Sequence, residues 1–480
     1  MENKKEILIL GAGPAGLSAG WKLAEKGFRV RVLEKEPRVG GQCATVEKDS
    51  YRFDFGGHRF ITSDQNLAGE ITALLDGELI STPRKSQIRL FNRFFDYPLQ
   101  IKNLVKGMNP LFSAFCFLDY LFYLGRRKIF HPPEVSFEDW VKNRFGASLY
   151  RIFFGVYTKK LWGVSPKMIS ADWAAQRITI INLSDVLLRL AGKKSNAPKT
   201  YALKFLYPKF GIGRIADKMA ERIAACGGDI SLDSGVEKII HNDGRIQQIA
   251  FRQGNQLRGI SADSYVNTIP LPEFIQKLSP QPEERYLRAA RKIKFRSVRF
   301  MNIIFDLPRI SGNTWIYVPE PKYIFFRIQE TRNWSPHLVP DPGKTALILE
   351  IACFEGDELW RKQEHELCEL CLRDLRKLGL LPAQAKALRY FSTRLQDAYP
   401  IYDLGYRQNV ETCLELVRGM DNLISIGRQG LFRYNNMDHS IKMGILTAEH
   451  IERGNLETKI FSIASEKEAF EAEKDTKDRE

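Results

Sequence analysis

The first clear pattern in the chain is an unbroken apolar run, Ile7-Leu8-Ile9-Leu10, as expected of a strand buried on both faces of a parallel sheet. It runs directly into Gly11-Ala12-Gly13-Pro14-Ala15-Gly16, and apolar positions at helical spacing predict a helix over 15–26 that Gly27 closes. Arg29-Val30-Arg31-Val32-Leu33 then predicts a second strand, with Glu34 at its end. Near the other end, Leu423-Ile424-Ser425-Ile426 predicts one more buried strand. Ile441, Ile445, Ala448 and Ile451 mark a helix after it, with Asp438 or Ser440 as the expected N-cap. The stretch HELCELCLRDL predicts an amphipathic helix in which Cys368 and Cys371 are packed thiols rather than a redox or zinc pair, and no metal site is expected.

One segment breaks the alternation. Residues 111–124, LFSAFCFLDYLFYL, are strongly apolar but shorter than the roughly 20 residues that cross a bilayer, and Asp119 interrupts them. The preferred expectation is a buried helix of a helical subdomain, and the alternative is an interfacial anchor, given Arg126, Arg127 and Lys128 just beyond.

Composition narrows the class. A chain of 480 residues exceeds what one core organises, so several subdomains are expected, and 44% hydrophobic residues suit a folded, enzyme-sized protein. The stretch from about Ser465 alternates Glu, Lys and Asp around Phe470 and reads as a solvated tail. Seven scattered cysteines, with no apolar signal segment before Ile7, fit a reducing cytoplasm. The net charge of +15 favours anionic ligands, but the basic residues form no stripe with interleaved aromatics, so nucleic acid is not expected as a partner.

The strand-turn-helix-strand unit carries chemistry. Gly11 permits the tight turn, Gly13 lets the backbone approach a pyrophosphate, and Gly16 lets the helix lie against the strand, so that the helix N-terminus meets the phosphates. Glu34 is placed to accept from the ribose hydroxyls of a dinucleotide, which disfavours NADP and leaves NAD and FAD open. Gly211-Ile212-Gly213, before a predicted helix, would suit either a phosphate contact or an ordinary helix start.

The residues beyond Glu34 resemble those of a known superfamily. Glu36-Pro37-Arg38-Val39-Gly40-Gly41 is similar to the continuation found in amine oxidases, protoporphyrinogen oxidases and UDP-galactopyranose mutases. The ordered segments Phe55-Gly56-Gly57-His58-Arg59-Phe60, Tyr97-Pro98-Leu99-Gln100, Tyr157-Thr158-Lys159-Lys160-Leu161-Trp162-Gly163-Val164, Trp173-Ala174-Ala175-Gln176-Arg177, Trp315-Ile316-Tyr317, Phe326-Arg327, Ala398-Tyr399-Pro400 and Tyr434 through Ser440 resemble the UDP-galactopyranose mutase family most. The resemblance implies an α/β fold: a Rossmann-type FAD-binding domain assembled from discontinuous segments, an inserted helical subdomain and a mixed or antiparallel sheet domain for substrate. The expected divisions are 1–95, 201–280 and 411–456 for FAD, 96–200 for the helical subdomain, 281–410 for the sheet domain and 457–480 for a flexible charged tail.

The resemblance also implies roles. FAD would be held by Gly11, Gly13, Ala15, Gly16, Glu34, Lys35, Arg38, Gly41, Gly57, His58, Val236, Gly427, Arg428, Asn436, Met437 and Ser440. In such mutases reduced FAD attacks the anomeric carbon of a UDP sugar through N5, and the adduct lets the ring reopen between pyranose and furanose. Arg177 and Arg327 would face the diphosphate and sugar, Tyr317, Tyr399 and Tyr434 would donate to the phosphates, and His58 would lie near the flavin. Tyr97, Gln100 and Trp162 would hold the uridine. Leu99, Thr158 and Met437 depart from the family pattern, which leaves an oxidase or desaturase of the same superfamily as the rival. In that rival the 111–124 stretch would serve as a peripheral membrane contact, which is not favoured.

Overall fold

The computed structural model describes residues 5–97, 109–178, 204–454 and 457–463. Three regions of the chain, far apart in sequence, meet in one five-stranded parallel sheet, ordered Leu423–Ser425, Ser264–Asn267, Glu6–Leu10, Arg29–Leu33, Asp229–Ser231. Ile7, Leu8, Ile9 and Leu10 have no solvent exposure, as the continuous apolar run of a central parallel strand requires. Helix Pro14–Glu25 lies against the sheet beside Arg214–Ala225, and Met437–Arg453 crosses it so closely that a side chain on Gly444 would begin 2.0 Å from Ser18 Oγ. Gly211 and Gly213 serve the helix start, for Ile212 N donates to Asp54 Oδ1 (3.2 Å) and Gly213 N to Thr45 Oγ1 (2.8 Å).

A seven-stranded mixed sheet forms the second layer, ordered Ala387–Pro400, Phe295–Phe305, Thr345–Cys353, Arg327–Glu330, Trp315–Tyr317, Ser86–Leu90, Arg93–Asp96. All its pairs are antiparallel except Trp315–Tyr317 with Ser86–Leu90. The strands at 86–96 therefore join the sheet domain from upstream of residue 96. Helix Glu364–Lys377 covers one face, and Cys368 and Cys371 are buried free thiols packed with Leu367 and Leu375, as expected. Among the described residues no group of three or more His, Cys, Asp or Glu is placed to hold a metal.

The helical subdomain runs from Pro110–Phe130 through Phe137–Leu149, the π-turn Tyr150–Phe154, Gly155–Trp162 and Ala171–Arg177. Ser136 starts the second helix with a reciprocal cap, its Oγ accepting from Asp139 N while Asp139 Oδ2 accepts from Ser136 N.

Three expectations need correction. Helix Pro110–Phe130 is not buried: Cys116 is its one buried residue, since the helix is apolar on all sides and helix Phe137–Leu149 covers only one of them. The helix at Met437–Arg453 is capped by Asn436 rather than Asp438 or Ser440, with His439 Nδ1 accepting from Asn436 N (3.3 Å). The start of the charged tail is ordered: Glu457–Ser462 is helical, Ile460 has no exposure, and Arg433 Nη1 donates to the carbonyls of Phe461 (2.6 Å) and Ile463 (2.8 Å).

Candidate functional site

The nucleotide end of the site follows from backbone geometry. Gly11 adopts φ +102°, and a side chain on Gly16 would begin 2.1 Å from the Gly11 carbonyl, so strand and helix meet only without side chains there. Gly13 is different, for a side chain on it would meet nothing within 4 Å. That open space lies at the N-terminus of Pro14–Glu25, where Gly13 supplies no side-chain cap and the first amides stay available for an anion. A side chain on Gly41 would begin 3.3 Å from Gly13 Cα, and Gly40 N donates to Ala12 O (2.8 Å), so the 38–41 turn seats against the glycine loop. The Arg38 guanidinium lies 5.7 Å from the Phe55 ring centre.

Glu34 is buried and accepts from Ala12 N (2.7 Å) and Glu36 N (2.9 Å). Burial raises its pKa above the ordinary carboxylate value, against the lowering effect of those two amides. A side chain on Gly235 would begin 3.7 Å from Lys35 Cβ, and the Val236 carbonyl accepts from Lys277 Nζ (2.5 Å). At the other end Gly427 approaches Ala15, whose Cβ stands 2.9 Å from where a Gly427 side chain would begin. Met437 and Ser440 are buried in the first turn of their helix, with Ser440 Oγ 3.2 Å from Asn435 Nδ2.

The sheet register builds the second half of the site. Tyr317 pairs with Arg327, and Arg327 with Glu350, so one row across three strands carries a phenol, a guanidinium and a carboxylate on one face. Glu350, with no exposure, accepts from Arg327 Nε (2.5 Å) and Nη2 (2.6 Å), and from Gln329 Nε2 (2.6 Å). This bidentate pair fixes the guanidinium plane and leaves Nη1 to donate to a ligand. Burial works against the Arg327 charge, but Glu350, Tyr399 and Tyr317 hold its pKa well above the ordinary value. Gly57 lies over the pair, 3.7 Å separating its side-chain direction from Arg327 Cζ.

His58 faces two guanidiniums. Desolvation, with Arg428 and Arg327 next in weight, pulls its pKa down to about 3, so its imidazole is neutral at physiological pH. Arg428 also stacks over Tyr434 (4.3 Å) and Tyr399 (5.6 Å) and donates through Nη1 to Gln42 Oε1 (3.2 Å). Its Nε is buried with no hydrogen-bond partner among the described residues. A buried donor of this kind suits an acceptor on a bound cofactor.

An aromatic wall completes the site. Tyr399 and Tyr434 stack at 5.6 Å, and Trp162 meets Tyr399 (5.9 Å), Tyr434 (6.2 Å) and Trp173 (4.8 Å) edge-on. Tyr97 and Tyr157 flank Tyr317 at 5.1 and 5.9 Å. Thus His58, Arg327, Tyr317, Tyr399, Tyr434 and Arg428 share one region, with Trp162 and Tyr97 at its edges. Arg177 ends helix Ala171–Arg177 with its side chain outside the described part, and Gln100 also lies outside the described residues.

Sequence reasoning passed over Glu350 and Gln329, and it gave no role to Trp173 and Lys160, which fall within the resembling segments. Lys160 Nζ donates to the carbonyls of Val318 (2.8 Å), Glu320 (2.9 Å) and Phe325 (2.7 Å), tethering the loop between Tyr317 and Arg327. Burial pulls its pKa down to about 7. Glu350 sits in an otherwise apolar strand, TALILEIAC, and that lone acid was the available signal.

Comparison with known proteins gives the fold and the family. The crystal structure of reduced UDP-galactopyranose mutase superposes with a TM-score of 0.84, covering 97% of this chain and 100% of that one at 21% identity, which establishes the fold. A 4,4'-diapophytoene desaturase (4,4'-diapolycopene-forming) of Methylomonas sp is 26% identical over 320 residues, 58% of each protein. A probable UDP-galactopyranose mutase of Klebsiella pneumoniae is 24% identical over 227 residues, 46% of this chain and 54% of that protein. The chain thus spans little more than half the length of these two curated relatives. The flavin-containing amine oxidoreductase profile matches residues 14–412, from helix Pro14–Glu25 through the whole seven-stranded sheet. With that span, the chain belongs to the family of flavin-containing amine oxidoreductases and is an FAD-dependent protein.

Proposed function

We propose that the protein is a mutase-like enzyme that interconverts pyranose and furanose forms of a nucleotide sugar, a UDP sugar first among them, with FAD in its reduced state. The observation that carries this reading is the gathering of Arg327, Arg428, Tyr317, Tyr399 and Tyr434 beside His58. A cationic, hydroxyl-rich wall suits a diphosphate, whereas an apolar substrate gains nothing from buried cations.

The open space at Gly13, the uncapped helix start, Glu34 and the orphaned Arg428 Nε fit an adenine dinucleotide along its length. Gly11, Gly13, Ala15, Gly16 and Gly41 would border the diphosphate, Glu34 the ribose, and Gly57, His58, Arg428, Asn436, Met437 and Ser440 the flavin. When bound and reduced, FAD supplies an electron-rich ring to the anomeric carbon. The chain's own contribution is positional. Arg327, held flat by Glu350, donates through Nη1 to the leaving diphosphate, and the tyrosine hydroxyls donate to its remaining oxygens. Neutral His58 avoids adding a third positive charge. Trp162 and Trp173 exclude water from the side of Tyr434. By the resemblance, Arg177 and Gln100 would serve the sugar and the uridine.

A second reading, oxidation or desaturation of an apolar substrate, draws on the desaturase relative and on the exposed apolar helix Pro110–Phe130. It leaves Arg327 Nη1 and the tyrosine hydroxyls without a task. A reducing, cytoplasmic setting accords with seven unpaired cysteines.

The test is to reduce the FAD-loaded protein with dithionite, add UDP-galactofuranose and follow UDP-galactopyranose chromatographically. Conversion that requires reduction supports the proposal. No conversion, while the oxidised flavin is bleached by a polyene or a porphyrinogen, would sink it. Arg327→Ala is expected to keep the flavin spectrum and lose UDP affinity by about tenfold or more.

A further inference from the structure

Helix Pro110–Phe130 has apolar residues on all sides but only one covered face. Along the other run Leu111, Phe115, Leu118, Phe122 and Ile129, which are 82, 55, 64, 66 and 71% exposed. Their spacing keeps them on a single line about 27 Å long. The one acid of the helix, Asp119, is turned inward, where its Oδ2 accepts from Ser148 N (2.7 Å). The outer face therefore carries no negative charge.

The charges it does carry are positive. Arg126 and Lys128 are exposed in the last turns, and Arg127 is turned toward Glu134 (3.6 Å). No described helix is long and apolar enough to cross a membrane. An apolar line that ends in cations and is free of acids is complementary to an anionic lipid surface, where the side chains reach the acyl boundary and the cations meet phosphates. A second copy of this chain, itself of net charge +15, fits less well than an anionic surface.

We propose that the outer face of helix Pro110–Phe130 seats the protein on an anionic membrane surface, the helix lying in the headgroup plane with Arg126 and Lys128 on lipid phosphates.

The test is co-sedimentation of the FAD-loaded full chain with phosphatidylcholine vesicles, with and without phosphatidylglycerol. Wild type should bind the anionic vesicles and lose binding as salt rises. Leu118→Glu/Phe122→Glu should lower the partition coefficient by about tenfold or more, with flavin absorbance and thermal midpoint unchanged because both positions face water. Arg126→Gln/Lys128→Gln should lower it about fivefold per charge and keeps the test open if the first variant fails to fold. Three results would overturn the proposal: no wild-type binding to anionic vesicles, equal binding by the Leu118→Glu/Phe122→Glu variant, or a wild-type dimer in sedimentation velocity that this variant dissociates without any effect on vesicles.

Discussion

Glu350→Gln is the most informative single change, because the carboxylate accepts three hydrogen bonds and has no solvent exposure. The amide preserves shape but removes the charge and offers one acceptor oxygen where two were used. Removing one partner of a buried ion pair costs about 3–5 kcal/mol. The Arg327 side chain is 17% exposed, so water offsets part of that loss, and about 3 kcal/mol remains, about two orders of magnitude in a local opening equilibrium. Native-state hydrogen exchange reads this directly on the paired strands Arg327–Glu330 and Thr345–Cys353. Protection there should fall by about a hundredfold, with the parallel sheet around Glu6–Leu10 unaffected. Arg327→Met combined with Glu350→Gln should recover most of the loss, since no unpaired buried charge is left. Protection in the single variant within a factor of about three of wild type, or strict additivity in the double, would refute the coupling.

Other outcomes rest on the same geometry. Gly13→Ala should leave apoprotein stability within about 0.5 kcal/mol, as its side chain meets nothing within 4 Å, yet weaken FAD binding about tenfold; thermal unfolding and flavin fluorescence titration report the two. Gly11→Ala should instead destabilise the apoprotein by about 2–4 kcal/mol, from φ +102° and a contact of 2.4 Å with Thr268 Oγ1. His58 gains a proton near pH 6.5 when unfolded but only at about 3 when folded, so its contribution to stability is complete above about 6.5 and is lost as pH falls toward 3, by at most about 1.4 kcal/mol per unit. Urea unfolding at pH 7 and pH 5 should show that slope reduced in His58→Gln; equal slopes contradict the assigned environment. Lys160→Met should free the carbonyls of Val318, Glu320 and Phe325, cost about 1–3 kcal/mol and raise the exchange of residues 318–326, while flavin content stays constant.

The nucleotide half of the site was legible in the chain because its requirements are local. Gly11, Gly13 and Gly16 act through backbone conformation within one turn, and Glu34 comes at the end of a strand whose apolar run already announces burial. The ordered segments from Phe55 to Ser440 contain Arg327, Tyr317, Tyr399 and Tyr434, which the fold brings into one region. What they could not supply was who holds what. Arg327 and Glu350 are 23 residues apart, and only the cross-strand register makes them a pair. Lys160 reaches carbonyls some 160 residues downstream. The 111–124 run shows the same limit from the other side: hydropathy states that a helix prefers to leave water, but whether a neighbour covers it depends on how many faces the fold can cover, and here helix Phe137–Leu149 covers one. Local backbone and pattern rules thus determined the cofactor-binding unit from the sequence by itself, while pairings between distant strands, which chain order does not encode directly, were decided by the tertiary structure.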